Sequence, residues 1–569
     1  MTRKIIAILE KVAGRAAEFE VLPSAKPEFG HYSTNLPLRL GKKRGENPLA
    51  LARELAYKIR QQAPPDLFAK VDVAEPGFIN FWLSEKATQE EFAEIAADAD
   101  YGRLDLLKGK RVMVEYTDPN PFKQFHIGHL MTNVIGESIA RLYEANGAEV
   151  LRANYQGDVG THVAKSIWGM MRLESELPNE SAPLDKKVEL LGRAYAAGAK
   201  AYKENEAAKA GIDGLNKKIY ERSDPAVNKL YDQGRKWSLD HFETLYARLG
   251  TKFVHYFFES EVGSVGLEIV RAHPDVFVES QGAVIFQGEN YGLHNRVFIN
   301  SLGLPTYEAK ELGLNKLKFD LYHPDASLVI TANEINEYFR VLMKAMELVM
   351  PEVAKKTTHI GHGMLRLPSG KMSSRTGEVI AAETLIEQIK EAVAKKVAGR
   401  KELTKKEQEE IKEKVALSAI RYSVLKQGIG RDIVFDINKS ISFQGDSGPY
   451  LQYTYARLRS ILRKAKSEKV KMKNWDSRKL ATEEESVLIR KMAEFPDIVE
   501  RGVKTHAPNI LATYLYELAN TANVLYEAEP ILKDEDKSRR AARLVLVETA
   551  ANVLKNGLGF LGIETPEKI

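Results

Sequence analysis

Residues 112–137 read Val-Met-Val-Glu-Tyr-Thr-Asp-Pro-Asn-Pro-Phe-Lys-Gln-Phe-His-Ile-Gly-His-Leu-Met-Thr-Asn-Val-Ile-Gly-Glu, and no other stretch constrains the chain as much. The apolar run Val112–Val114 has the length and composition of a buried strand. Pro119 and Pro121 then forbid regular structure for several residues. From Ile127 onward, Ile127, Leu130, Val134, Ile135 and Leu142 recur at helical spacing. The tetrapeptide His126-Ile127-Gly128-His129 therefore falls where a strand and turn give way to a helix N-terminus. That end offers unpaired N–H groups and the positive end of the helix dipole, which together favour phosphate. Gly128 lets a flat group approach the backbone, and the two imidazoles can donate hydrogen bonds to phosphate oxygens. The expectation is a nucleotide site at the carboxyl end of the first strand of a doubly wound α/β sheet.

A plain helix start with two solvated histidines is the competing reading. The tetrapeptide also occurs a second time, as His359-Ile360-Gly361-His362, so its rarity decides nothing. The second copy runs into Gly363-Met-Leu-Arg-Leu-Pro-Ser-Gly-Lys371, which reads as a strand entering a loop. Only the first copy has the strand-turn-helix setting. The loop after the second copy, Lys371-Met372-Ser373-Ser374-Arg375-Thr376-Gly377, is small and cationic. Such a loop can close over a triphosphate and neutralise charge that builds during nucleotidyl transfer. An ordinary basic turn would look the same.

Composition sets outer bounds. A chain of 569 residues has room for several domains of ~100–200 residues. Apolar residues make up 44% and charged residues 28%, as in a soluble globular protein. No run of ~18 apolar residues occurs, so no membrane partner is expected. Glu10 and Lys11 cut the first apolar stretch too short for a secretion signal. Cysteine is absent, which excludes disulfides and thiolate zinc sites and agrees with the cytoplasm. The net charge of +5 permits a polyanionic partner without calling for one.

His126-Ile-Gly-His129 and Lys371-Met-Ser-Ser-Arg375, in that order and at that separation, resemble the two signatures of class I aminoacyl-tRNA synthetases. The flanking residues resemble the arginyl-tRNA synthetase family in particular. Glu115-Tyr-Thr-Asp-Pro-Asn120 looks like its Glu, aromatic, Pro-Asn pattern, and Asn154-Tyr-Gln-Gly-Asp-Val-Gly-Thr161 like its Gly-Asp segment. Tyr307-Glu-Ala-Lys-Glu311 is similar to its Tyr-x-x-x-Asp element, and Asp446-Ser-Gly-Pro-Tyr-Leu-Gln-Tyr-Thr-Tyr-Ala-Arg457 to its Gly-Pro-Tyr-Leu-Gln-Tyr segment. A guanidinium substrate needs carboxylates in fork geometry, and Glu115 and Glu311 are candidates.

The resemblance implies a Rossmann-type catalytic domain over about 101–380, with a helical insertion at about 165–280. It also implies an α+β tRNA-contacting domain over 1–100, a helical stem-contact connector over 381–445 and an all-α anticodon-binding bundle over 446–569. It implies ATP with Mg²⁺, L-arginine and tRNA as substrates, no prosthetic group, no zinc, a monomer, and activation that waits for tRNA. His126, Gly128 and His129 would hold ATP, and His362 and Met364 would lie near adenine. Lys371, Met372, Ser373, Ser374 and Arg375 would meet the pyrophosphate, while Glu115, Asn120, Tyr307 and Glu311 would hold arginine. Bases would have to be read by exposed aromatic and basic residues of the bundle, since its apolar stripes are core.

Three positions depart from the family pattern. Ser374 stands where many class I enzymes keep a second lysine, and Lys123, three residues before His126, can supply that charge. Glu311 replaces an aspartate, and Asp118 replaces a small residue, either to bind the substrate ammonium or to cap the turn. The rival readings are a lysine enzyme of the same class, another nucleotidyltransferase on the same fold, and an inactive tRNA-binding paralogue.

Overall fold

The computed structural model describes residues 1–14, 19–24, 26–366, 368, 380–397, 404–470, 472–473 and 475–569. The chain forms two compact units, one of Asp105–Ile441 and one joining Met1–Leu104 to Ser442–Ile569. Among the described residues no helix is long and apolar enough to cross a membrane.

In the first unit the run at Val112 becomes the middle of a five-stranded, all-parallel sheet. Its strands lie in the order Thr357–His362, Ala326–Ala332, Arg111–Glu115, Glu149–Gln156 and His255–Phe258. Val112, Met113 and Val114 are at most 2% exposed, as a central parallel strand covered on both faces must be. Arg111–Glu115 pairs on one side with the strand that follows it and on the other with Ala326–Ala332. The strand order reverses there, so a crevice opens outside the carboxyl ends of these strands.

The helical insertion precedes the strand His255–Phe258. Helices Thr161–Arg172, Leu184–Glu204, Glu206–Glu221 and Pro225–Arg248 share a core that includes Ile167, Met170, Leu190, Ile212, Ile219 and Trp237. The first two helices touch through glycine. A Cβ on Gly169 would lie 2.0 Å from the Ala194 carbonyl oxygen, and one on Gly198 would lie 2.0 Å from that of Lys165.

The short apolar run Val284-Ile-Phe286 lies in a strand outside the parallel sheet. Ala283–Phe286 is the centre of a three-stranded antiparallel sheet with Phe277–Ser280 and Arg296–Ile299. The two residues between the first pair, Gln281 and Gly282, both have positive φ (50° and 78°), the geometry of a tight hairpin. A two-residue connection cannot make the crossover that parallel pairing requires. Helices Ala382–Val397 and Lys405–Leu425 pack on each other and on Ile127–Ala145 within this unit.

The second unit carries an antiparallel sheet in the order Val21–Pro23, Tyr32–Thr34, Phe78–Leu83 and Phe68–Ala74. The last two strands form an antiparallel hairpin around Pro76-Gly77. Helix Pro48–Gln62 starts on Asn47, whose side chain accepts from the N–H groups of Leu49 and Ala50. Helices Gly448–Ser467, Glu483–Ala493, Phe495–Lys504, Pro508–Ala528 and Lys537–Phe560 form the bundle. Tyr514, Leu515, Leu518, Ala522 and Leu525 of the expected stripe are buried, and Ile510 is half-buried. Within the bundle, Arg543 is buried against three acids. It donates to Glu485 at 2.7 Å and Asp534 at 3.0 Å, and lies 2.5 Å from Glu529.

Removing one partner of a buried charge network costs ~3–5 kcal/mol, because the others stay uncompensated. Arg543→Leu is therefore expected to lower the urea midpoint of this unit by that equivalent. A midpoint within error of the parent would show that Glu485 and Asp534 are neutralised without it.

Candidate nucleotide and amino-acid site

His126 is the N-cap of the helix Ile127–Ala145, and the histidine pair caps itself. The His126 N–H donates to His129 Nδ1 at 3.2 Å, and the Gly128 N–H donates to His126 Nδ1 at 3.1 Å. The rings stack with centroids 3.7 Å apart. Burial, helped by Lys123, pulls the His126 pKa down to about 4, and burial with His126 alongside pulls His129 well below its usual value. Both imidazoles are thus neutral near pH 7. Each accepts on Nδ1, so each carries its proton on Nε2, where it can donate.

The flanks of the cationic loop dock beside this helix start. The Ile127 N–H donates to the Ile380 carbonyl at 3.1 Å, and the Ala382 N–H to the Phe125 carbonyl at 2.9 Å. On the other flank, His362 is 1% exposed. Its Nδ1 lies 2.7 Å from the Gly363 carbonyl and its Nε2 2.7 Å from Thr132 Oγ1, one turn into the same helix. The Met364 N–H donates to Asp432 at 2.9 Å. Lys371, Met372, Ser373, Ser374 and Arg375 themselves lie outside the described residues. The second His-Ile-Gly-His copy is the strand Thr357–His362, with the His359 ring stacked on Phe339 at 3.8 Å. Lys123 and His126 line a cleft of about 1200 Å³ whose far wall includes Tyr195 and His241. Burial and the nearby Lys165 ammonium lower the Lys123 pKa.

A second set of groups lies at the carboxyl edge of the sheet. Glu115 ends the central strand and is 1% exposed; its Oε2 lies 2.5 Å from Nζ of the fully buried Lys318. The carboxylate nominated for a guanidinium thus already has a cation beside it. Asp118, at φ 44°, accepts from the Tyr155 N–H at 2.8 Å, so one of its oxygens anchors the turn. Tyr307 and Glu311 lie on the first turns of the helix Tyr307–Tyr322. Glu311 is buried, its Oε2 has no hydrogen-bond partner, and burial with Glu115 nearby pushes its pKa up to about 8. The buried hydroxyls of Tyr155 and Tyr338 are likewise unpartnered and both feel the charge of Glu311.

Sequence reasoning missed Lys318, Glu259 and Lys310. Lys318 is two turns beyond Glu311 on one helix, and the i+7 spacing could have flagged it. Glu259 directly follows the strand His255–Phe258, much as Glu115 ends its own, and its Oε2 accepts from Lys310 at 2.7 Å. Asn120 lies close by: a Cβ on Gly157 would meet Asn120 Oδ1 at 2.3 Å and Glu259 Oε1 at 3.2 Å. Asp158, of the Gly-Asp segment, is fully buried and accepts from Tyr231, Arg235 and both N–H and O–H of Ser260.

In the other unit, Arg457 lies between the rings of Tyr453 and Tyr526, at 5.0 and 5.3 Å from their centroids. It donates to Asn523 at 2.8 Å, and Asn523 donates to the Tyr450 hydroxyl at 2.9 Å. Tyr526 is 42% exposed. This is a preassembled guanidinium-aromatic face of the kind on which an unstacked base can lie.

Sequence comparisons agree with this geometry. Residues 1–83 match the arginyl tRNA synthetase N terminal domain, 93–437 the class I (R) tRNA synthetase catalytic domain, and 451–569 the DALR anticodon binding domain. The arginine–tRNA ligases of Porphyromonas gingivalis and Clostridium perfringens are each 30% identical, over 96% of this chain and 95% of theirs. Among solved structures, the Thermus thermophilus arginyl-tRNA synthetase superposes with a TM-score of 0.82 at 23% identity, covering 100% of this chain and 99% of that one. The Plasmodium falciparum enzyme gives 0.80 at 22%, with the same coverage. The last two establish the fold, and the matching domain families together with the 30% relatives establish kinship: the chain belongs to the arginyl-tRNA synthetase family of class I aminoacyl-tRNA synthetases.

Proposed function

We propose that this chain joins L-arginine to its tRNA in two steps. The arginine carboxylate attacks the α-phosphorus of ATP in line, giving arginyl-adenylate and pyrophosphate. A ribose hydroxyl at the tRNA 3′ end then attacks the activated carbonyl, and AMP leaves. Chemistry of this type needs positioning and charge neutralisation more than a general base. The observation that carries the reading is the placement of a self-capped histidine pair and a carboxylate-rich pocket at one crevice of the parallel sheet.

In this reading the Nε2–H groups of His126 and His129 donate to the phosphates and ribose, and Gly128 gives the adenosine access to the backbone. Lys123 reaches the same phosphates from the cleft, Lys371 to Arg375 close over the pyrophosphate, and Mg²⁺ enters as the partner of ATP. His362 and Met364 border the adenine. Asn120, Tyr307, Glu311 and Glu259 surround arginine, Glu115 and Asp118 set the pocket charge, and Arg457 with its tyrosines takes an unstacked tRNA base. One chain holds every group named, and we propose a monomer working in the cytoplasm.

The direct test offers the purified protein each of the twenty amino acids with tRNA, ATP and Mg²⁺. Only arginine is expected to be charged, and pyrophosphate exchange should require tRNA. Charging of lysine, or of nothing, would reject the reading.

A pH dependence follows from Glu311. A guanidinium binds its ionised form, and the carboxyl holds its proton below about 8, so binding below that pH must expel a proton. The arginine KM should therefore fall as pH rises from 6.5 to 8.5, by up to about tenfold per unit in the lower part of the range. The ATP KM should stay flat, and an arginine KM that is also flat would place the guanidinium elsewhere.

Stacking of a base on an aromatic or guanidinium face is worth ~1–3 kcal/mol. Arg457→Ala should then raise the tRNA KM about 5- to 150-fold, leaving the arginine and ATP KM values at parental levels in assays at saturating tRNA. An unchanged tRNA KM would remove this face from tRNA binding.

A further inference from the structure

We propose that Lys310 is a resident substitute for the substrate cation: its ammonium fills the Glu259 site in the free protein, and the arginine guanidinium displaces it on binding. The inference rests on the reading that this pocket takes arginine. Lys310 sits immediately before Glu311 at the start of the helix Tyr307–Tyr322. Its Nζ lies 2.7 Å from Glu259 Oε2 and 3.0 Å from the Tyr220 hydroxyl. The same ammonium stands 5.4 Å from the centroid of Tyr307 and 5.5 Å from that of Tyr220. A carboxylate, a phenol oxygen and two aromatic rings are the groups that bind a guanidinium, and here they already hold an ammonium.

Glu259 also borders the space assigned to substrate. Its second oxygen and Asn120 Oδ1 face the spot where Gly157 has no side chain, and a Cβ there would meet them at 3.2 and 2.3 Å. Exchange at this carboxylate leaves the charge balance of the pocket as it is. Lys310 and Lys318 each face one carboxylate, Glu259 and Glu115. A further cation beside both pairs would meet two ammonium groups in a nearly dry space. If Lys310 withdraws, the incoming guanidinium inherits Glu259 and lies within reach of unpartnered Glu311.

Lys310 has a way out and Lys318 does not. Tyr307, beside the Lys310 ammonium, is 65% exposed, and an unbranched four-carbon stem can swing past it toward water. Lys318 is 0% exposed. Burial alone would discharge Lys310, but Glu259 and Tyr220 outweigh it and hold its pKa above the usual lysine value. It is thus a charged competitor tethered at its own binding site.

The test uses the full chain with tRNA. Lys310→Met is expected to lower the arginine KM at least fivefold in pyrophosphate exchange, with the ATP KM within twofold of the parent. Lys310→Arg, which keeps a tethered cation, should hold the arginine KM at or above the parental value. In the unmodified protein, saturating arginine should increase labelling of Lys310 by an amine-reactive reagent, mapped by mass spectrometry; this arm stands even where a variant does not fold. An unchanged or raised KM in folded Lys310→Met, or labelling that arginine leaves unchanged or suppresses, would overturn the proposal. If the parent charges arginine and these results fail, displacement alone is wrong. If the parent charges another amino acid or none, the functional reading falls and displacement falls with it.

Discussion

The Glu115–Lys318 ion pair, 2.5 Å long and at most 1% exposed, is the interaction around which the pocket is arranged. Glu115 closes the central strand of a sheet covered on both faces, so its charge has no route to water. A carboxylate in that position must be paired or protonated. Lys318 reaches it from the helix Tyr307–Tyr322, and that choice has consequences along the same helix. The next carboxylate, Glu311, is buried beside Glu115, and burial first and Glu115 second push its pKa up to about 8. Asp118 is raised for the same two reasons. Two of the pocket carboxylates thus face lysines, Glu115 with Lys318 and Glu259 with Lys310, while burial and Glu115 push the pKa values of Glu311 and Asp118 upward.

The helix start at His126 follows an opposite rule. There the charge is kept low by burying histidines rather than by pairing acids. His126 loses basicity to burial and to Lys123, His129 to burial and to His126, and the spacing of the tetrapeptide lets each ring close a backbone hydrogen bond of the helix start. The capping consumes both Nδ1 atoms and leaves both Nε2–H groups free to donate. Neutral donors can orient an anion without adding charge to the site. The flanks of the cationic loop meet the same helix, at Ile380 on one side and through His362 and Thr132 on the other.

Much of this was legible in the sequence, and the limits have physical causes. The strand at Val112, the helix from Ile127 and the bundle stripes are periodic patterns set by burial, and the structure places them where the pattern does. Context alone separated the two His-Ile-Gly-His copies, one at a helix start and the other in a strand. Val284–Phe286 shows where periodicity stops: three apolar residues fit any sheet, and only the positive φ values at Gln281 and Gly282 assign them to a hairpin. The pocket carboxylates Glu115 and Glu311 stood out by resemblance, but their lysine partners did not. A lysine among 83 basic residues looks like solvated surface, and nothing in a linear string reports that Lys318 and Lys310 turn inward.

Asp158 explains why the insertion matters to the pocket. It is fully buried and draws four hydrogen bonds from two directions: Tyr231 and Arg235 on an insertion helix, and the N–H and hydroxyl of Ser260. Ser260 is the residue after Glu259, so the carboxylate that ties down the insertion also fixes the backbone beside the carboxylate that holds Lys310. Tyr220, another insertion residue, completes the Lys310 site from the other side. A shift of the insertion helices would thus be felt at Glu259 through Asp158 and at Lys310 through Tyr220. Both contacts are charge-assisted hydrogen bonds in a buried setting, where a small displacement is costly. The insertion is therefore part of the wall that sets the charge state of the pocket, and its packing and the pocket's readiness for a cation are one structural problem.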